Sequence, residues 1–517
     1  MDADVIVAGA GPVGLFLAAE LRLAGARPLV LERLAEPSPW RRSRGIGPLA
    51  AEALRRRGLG ERLSAYQPER GAEKAREHGS EKDHFAWIHK IDPTLQEEPG
   101  RRGVLIWQPD LEAVLGEYAA GLGVTVRREH TVTGLSPDED GVTVTVATPT
   151  GERRLRAAYV AGCDGGRSTV RKLAGFAFPG TPPLMTARQA HAEIAAPGAL
   201  PPPGRLPGGM LLHGPGGIGT FDFADTHERH EGPVTAEELR ASVRRVAGVD
   251  VTITRMGDAL RFTDQARQAA TYRLGRVLLA GDAAHVHSPN GGQGLNLGLM
   301  DAVNLGWKLA AEALGTAPEG LLDTYTAERH PAGHAVLHNT RAQSALMLPG
   351  PHTDALRDIV AELMDIPDVN RYFGRMLSGL RTRYAFPYAT PEAHPLTGTH
   401  CPDITLSPAA EPGREVPLSR LTTGGRPLLF APPGSPAVAA AAGRRDRVMV
   451  VEVTAVGHPA LSAALVRPDG AVAWAGGPGT PYGSALLEAA LRTWFGAPSP
   501  AADTPSHVTD LPSQVAG

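Results

Sequence analysis

The chain has 517 residues, enough for about three domains. Its 52 Lys and Arg against 55 Asp and Glu give a formal net charge of −3, which excludes the basic surface of a general nucleic-acid binder. Hydrophobic residues at 42% and charged residues at 21% exclude an intrinsically disordered chain. Two cysteines, Cys163 and Cys401, lie far apart with no CxxC, so neither a disulfide scaffold nor a zinc site is expected. The apolar stretch 5–21 is interrupted by Gly9, Gly11, Pro12 and Gly14 and is too broken to span a bilayer. The N-terminus lacks the basic start of a signal peptide. A cytoplasmic protein with no membrane or nucleic-acid partner is the expectation.

In chain order, residues 4–8 form a short apolar run, read as a buried parallel strand. Gly9-Ala10-Gly11-Pro12-Val13-Gly14 follows, then a helical pattern over 15–24 closed by Gly25, then a second strand at 28–32. The segment 64–102 is charged and irregular, with a strand at 85–89. A helix is expected at 108–121 and strands at 124–128, 141–146 and 154–161, the last two forming a hairpin. Between 175 and 275 the pattern becomes strand-like with Pro/Gly breaks and one helix at 235–247, an antiparallel sheet inserted into the first domain. The Pro/Gly loop 196–209 reads equally as a lid or a plain connection. A strand at 276–280, a glycine-rich loop to Gly294 and a helix over 295–314 come next, then helices over 321–346 and 353–380. Residues 387–417 are Pro-rich, and the last hundred read as strands, a hairpin and a helix before a polar tail.

The spacing Gly9-x-Gly11-x-x-Gly14, between a strand and a helix, is a dinucleotide fingerprint. Gly9 allows the tight turn, Gly11 admits a pyrophosphate to the backbone, and Gly14 lets helix and strand pack closely. The pyrophosphate would lie on the helix N-terminus, and Glu32, ending the second strand, is placed for ribose hydroxyls. Two further strand-to-helix turns carry Gly and Asp: Cys163-Asp164-Gly165-Gly166 and Gly281-Asp282-Ala283-Ala284.

These three motifs resemble those of the class A single-component FAD-dependent aromatic monooxygenases, the p-hydroxybenzoate hydroxylase-like group. The stretch from Gly281 to Lys308 is the most specific. Within the group the sequence is most similar to actinomycete aromatic polyketide hydroxylases of angucycline and anthracycline type, and to rifampicin monooxygenases. The resemblance covers about residues 1–400 and weakens beyond. It implies an α/β fold: a Rossmann-like FAD-binding domain at 1–174 and 276–390, and an antiparallel substrate sheet at 175–275 with parts of 64–107. A linker at 391–417, a thioredoxin-like domain without CxxC at 418–497 and a flexible tail at 498–517 complete it. It implies FAD as cofactor and NADPH or NADH as transient reductant. Oxygen would be transferred from a C4a-hydroperoxyflavin to a polycyclic aromatic substrate, in a monomer or homodimer.

The resemblance also implies roles. Glu32 and Arg33 hold the adenosine ribose, Arg42 and Arg44 meet the adenosine and pyrophosphate, and Gln108 reaches the FAD. Asp164 lies beside FAD, Asp282 with Gly281 binds the ribityl chain, and Pro289 is near C4a. Gly294, Leu295 and Asn296 offer N–H groups to the flavin. No side-chain nucleophile or metal is required, since the chemistry belongs to the cofactor.

Several residues carry a second reading. His285 and His287 read as structural loop residues. Trp87, His89 and Trp107 are either pocket or core, Phe221 is a pocket candidate, and Arg188 is either in the pocket or in a surface salt bridge. Arg171 reads as a brace of the Asp164 turn. Baeyer–Villiger oxidation or antibiotic inactivation on the same fold, and a flavin-bound partner without turnover, are the alternative functions.

Overall fold

Strand β1 (Ala3–Ala8) is buried along most of its length, so it has to be covered on both faces. The computed structural model describes residues 1–40, 43–66, 82–96, 98, 101–214, 217–225, 232–477 and 484–499. Helix α1 (Pro12–Leu23) follows with Pro12 in its first turn, where a missing N–H costs nothing. It returns the chain to strand β2 (Pro28–Leu31), parallel to β1 with Val7 opposite Val30. Beyond, β3 (Asp83–Phe85) and β4 (Ile88–Ile91) make a hairpin where the sequence suggests one strand. It turns at Ala86 and Trp87, both at positive φ.

Helix Gln108–Gly121 leads to strand Thr125–Arg127 beside β2. A meander through Thr131–Pro137 and Val142–Thr148 brings β5 (Gly151–Gly162) alongside β1. The inserted sheet follows. Strand β6 (Thr186–Ile194) lies between β7 (Gly217–Asp222) and Ile253–Thr263. Strands Gly209–Gly214 and Gly204–Leu206 extend the β7 side. Helix α2 (Ala236–Ala247) covers one face. Thr235 caps it by accepting from the Glu238 N–H at 3.2 Å, and Gly248 at φ +71° ends it.

Strand β8 (Val277–Leu279) completes the parallel sheet on the far side of β5. The order is β8, β5, β1, β2, Thr125–Arg127, so β1 has neighbours leaving in opposite directions. That is the switch point at which open α/β sheets bind ligands. Helix α3 (Gln293–Ala313) packs on α1 by close backbone approach: a Cβ at Gly298 would lie 2.7 Å from Val13, and one at Gly306 would collide with Glu20. Helix α4 (Thr324–Met347) then leads to α5 (Pro351–Leu363) and α6 (Pro367–Leu377). The single helix expected over 353–380 is therefore two. Ile366, held extended at ψ 122° by the proline after it, breaks the run.

The Pro-rich segment 391–417 is not only a linker. Thr405–Pro408 and Val416–Pro417 pair as strands at one side of the C-terminal sheet, where prolines are tolerated at an edge. That sheet continues through Met449–Val456, Leu428–Ala431, Ala463–Val466 and Val472–Gly476, with helix Ser484–Phe495 packed against it. The arrangement is thioredoxin-like, with Cys401 buried and free. Its seam with the first domain is charged. Arg57 pairs with Glu20 at 2.6 Å and donates to the carbonyls of Thr422 and Pro468. Glu328 accepts from Lys308 at 2.8 Å and from Arg467 at 2.7 Å. The tail beyond Ser499 lies outside the described residues.

Candidate flavin site

The Gly9–Gly14 turn sits at the C-terminal end of β1. Gly9 has φ +104°, and a Cβ there would lie 2.5 Å from the Cys163 carbonyl oxygen, so the turn also packs on the end of β5. A Cβ at Gly14 would collide with the Gly9 carbonyl. A Cβ at Gly11 would meet nothing within 4 Å. Of the three glycines, only Gly11 faces open space, where a ligand's approach needs a bare backbone. Glu32 braces this turn: one carboxylate oxygen accepts from the Ala10 N–H at 2.8 Å and the other from the Leu34 N–H at 2.9 Å. Each oxygen keeps a lone pair for a hydroxyl. Arg33 beside it is exposed, and Arg42 lies outside the described residues.

Asp164 follows β5. Its Oδ2 accepts from the N–H groups of Thr169 (2.6 Å) and Val170 (3.0 Å), capping the short helix there. Its Oδ1 is buried without a hydrogen-bond partner among the described residues, an acceptor that a bound polyol or ribose hydroxyl would satisfy. Arg171 donates to Gly166 O (2.8 Å) and to Ala283 O (2.9 Å), so it ties this turn to the one after β8.

After β8, Gly281 at φ +62° lies on Val13, and the exposed Asp282 turns toward the head of α3, with Oδ1 3.9 Å from the Cβ position of Gly294. Helix α3 starts without a side-chain cap. The first-turn N–H groups of Gln293, Gly294 and Leu295 have no carbonyl partner within the helix. Asn296 accepts from the Gly47 N–H at 2.5 Å and donates to Gly292 O at 2.9 Å, fastening the 43–47 segment to the helix head. In that segment Arg44 stacks on Trp107, 5.4 Å from its ring centroid. Gln108 donates from its side chain to Glu112 at 2.7 Å and from its backbone to Ser43 O. Pro289 is exposed just before the helix head.

His285 is buried and hydrogen-bonded through Nε2 to Asp301 Oδ2 at 2.7 Å. Asp301 also accepts from the Gly281 N–H and pairs with Arg329; although burial pushes its carboxyl upward, Arg329 and His285 together, by charge and hydrogen bond, hold it below its usual range. His287 donates from Nδ1 to Ser288 O, and burial pushes its pKa down to about 4, so it is neutral at pH 7. Both histidines hold the loop. Asp301 and Arg329 were not legible as site residues; the signal was a charge inside the apolar run of α3.

Trp87 and His89 stand on the β3–β4 hairpin, with ring centroids 5.7 Å apart. Phe221 faces the same cluster of apolar side chains as Phe85, Ala187 and Met210, under α4, α5 and α6. Arg188 does not. It alternates with Ala187 on β6 and points to the α2 side, fully buried among Asp222, Asp225 and Glu238. It is neither a pocket residue nor a surface ion pair. Although burial pushes upward, Arg261 and Arg188 hold the Glu238 carboxyl down to about 2.

A family model described as "FAD binding domain" matches residues 2–340, and one described as "Aromatic-ring hydroxylase, C-terminal" matches 394–498. The chain belongs to the FAD-binding aromatic-ring hydroxylase family. Across 527 residues it is 42% identical to the 12-dehydrotetracycline 5-monooxygenase/anhydrotetracycline 6-monooxygenase of Streptomyces rimosus, covering 96% of this chain and 100% of that one. It is 42% identical over 508 residues to a rifampicin monooxygenase of Streptomyces venezuelae, covering 96% and 99%. The solved anhydrotetracycline hydroxylase OxyS from Streptomyces rimosus superposes with a TM-score of 0.84 at 40% identity, covering 96% of this chain and all of that one. The protein is thus a flavin-dependent monooxygenase with FAD as its cofactor. No helix among the described residues is long and apolar enough to cross a membrane.

Proposed function

We propose that this monooxygenase uses NADPH or NADH and O2 to hydroxylate a polycyclic aromatic polyketide in antibiotic biosynthesis. The observation that carries the reading is an apolar cluster in which Phe221 is buried and Trp87, Phe262 and Phe373 form a part-exposed aromatic wall, adjoining through Leu377 the loop that leads into α3. A planar apolar substrate is the ligand such a wall selects. The tetracycline-directed relative, alike along its whole length, supports that class.

When bound, reduced FAD supplies the activation of O2. This chain's residues bind, orient and exclude water. Gly11 leaves room for a pyrophosphate, Gln108 reaches the FAD, Glu32 and Arg33 take the adenosine ribose, and Arg44 meets the adenosine and pyrophosphate. Arg42, outside the described residues, belongs to the same role. Asp164 and Asp282 accept from hydroxyls. The first-turn N–H groups at Gly294, Leu295 and Asn296, with the positive end of the α3 dipole, favour negative charge placed against them. His287, neutral at pH 7, adds no charge there.

Inactivation of an antibiotic is the second reading, supported by the rifampicin monooxygenase relative at equal identity. Turnover under 18O2 with product mapping separates the two. One labelled oxygen on a ring carbon as a phenol supports biosynthetic hydroxylation. A labelled ester or lactone, or an opened antibiotic ring, supports the second.

A further inference from the structure

Ala86 and Trp87, the turn between β3 and β4, have φ of +49° and +63°. Neither is glycine, and left-handed backbone at an L-residue costs free energy that the surroundings must offset. The surroundings do so by gripping the turn's polar groups. The Ala86 N–H donates to Gln343 Oε1 at 3.2 Å. The Ala86 carbonyl accepts from Arg357 at 2.8 Å. The Trp87 N–H donates to His84 Nδ1 at 3.3 Å, and the indole stacks on the same imidazole, centroids 4.8 Å apart.

Gln343 is fully buried on α4 and opens a chain of buried amides. Its Nε2 donates to Asn339 Oδ1 at 2.9 Å. Asn339 Nδ2 donates to Gln293 Oε1 at 2.8 Å, and Gln293 Nε2 reaches the Met376 and Leu377 carbonyls of α6 at 3.4 and 3.3 Å. One end of this chain is an N–H, which can only donate, and the other a carbonyl, which can only accept. Every amide orientation between them is therefore fixed, and the bonds reinforce one another. The chain passes the flavin loop at two points. Gln293 is the first residue of α3, and Gln343 Nε2 lies 3.3 Å from the Cβ position of Gly291. At the other end, Phe85, Ala86 and Ile88 are buried, while Trp87 stays part-exposed.

We propose that Gln343 is a positioning residue that holds Trp87 as the specificity-determining aromatic wall of the substrate cleft and ties that wall to the loop heading α3. The proposal deepens the hydroxylase reading and rests on it for the aromatic ligand. Loss of the Gln343 acceptor leaves the Ala86 N–H buried and unpaired in a strained turn, so the turn relaxes and the indole moves.

The test uses holoenzyme labelled with 5-fluorotryptophan, with the Trp87 19F line identified by its loss in Trp87→Phe. Gln343→Met should shift or split that line and weaken binding of anhydrotetracycline, used as a planar phenolic probe, about tenfold. Adding Ala86→Gly removes the steric cost at Ala86, leaving that at Trp87, and should return the line toward its original position with part of the affinity, a reversal that a packing role does not produce. If Gln343→Met does not retain FAD, Gln343→Asn, one methylene shorter, is read in its place. An unmoved Trp87 line in FAD-loaded variants overturns the proposal, as does a moved line with unchanged probe affinity. A moved line in a protein whose wild type binds no phenolic polycycle supports the positioning role and counts against the hydroxylase reading alone.

Discussion

Arg329 of α4 donates from Nε to Asp301 Oδ1 of α3 at 2.8 Å, with both side chains buried. Through Asp301 the pair reaches His285 and the Gly281 N–H, and Arg329 also donates to the Leu297 carbonyl. One ion pair thus sets the turn that presents Asp282 and the helix head behind it. Arg329→Met takes the guanidinium from a buried carboxylate that keeps only His285 and the Gly281 N–H, and should cost about 3–5 kcal/mol of stability. Urea unfolding and FAD content measure it, and both should fall together.

Gly9 and Gly11 should fail in different ways. Gly9→Ala meets the Cys163 carbonyl at a left-handed φ and should lower the melting temperature of the protein with or without FAD. Gly11→Val enters open space, so the apoprotein should melt as the wild type does while FAD binds at least about tenfold more weakly. Thermal melts beside a flavin fluorescence titration separate them.

His400 is buried where the two domains meet, and burial holds its pKa down to about 3 from an ordinary 6.5. Below pH 6.5 the unfolded chain takes this proton before the folded one does. Stability is therefore full above about pH 6.5 and is lost as pH falls toward the folded pKa. His287 adds the same trend between 6.5 and about 4. His400→Leu should flatten the decline of melting temperature between pH 6.5 and 4, with little change at pH 8.

Arg188→Met should behave as a stability variant. It leaves Asp222, Asp225 and Glu238 facing one another with fewer cations, and about 3 kcal/mol of stability should go. The more conservative Arg188→Lys should keep KM for the aromatic substrate within about twofold, because the side chain is on the α2 face; a tenfold KM change would place it in the cleft after all.

The parts of the site that were legible in sequence are those built locally. Gly9, Gly11 and Gly14 sit within one turn, and Asp164 and Asp282 each follow a recognisable strand end. Arg188 was misread because the strand period is two. A neighbour such as Ala187 faces the apolar cluster around Phe221, and only the β6 register decides which side chain does. The pairing of Glu328 with Arg467 spans 139 residues and leaves no local pattern. The break between α5 and α6 was available in the Ile366-Pro367 step, whose physics is local, but helical periodicity on both sides concealed it. The left-handed turn at Ala86 and Trp87 had no sequence signal, since neither residue is one that favours it.

The central claim is coupled oxygenation of a polycyclic phenol. The most direct measurement follows NADPH oxidation in air by purified, FAD-loaded protein, with and without a panel of tricyclic and tetracyclic phenols, with hydrogen peroxide quantified in the same samples. The account predicts that at least one phenol accelerates oxidation, releases little peroxide and is recovered with one added oxygen on a ring carbon. No acceleration by any phenol, or acceleration with stoichiometric peroxide and unchanged phenol throughout the panel, would contradict it.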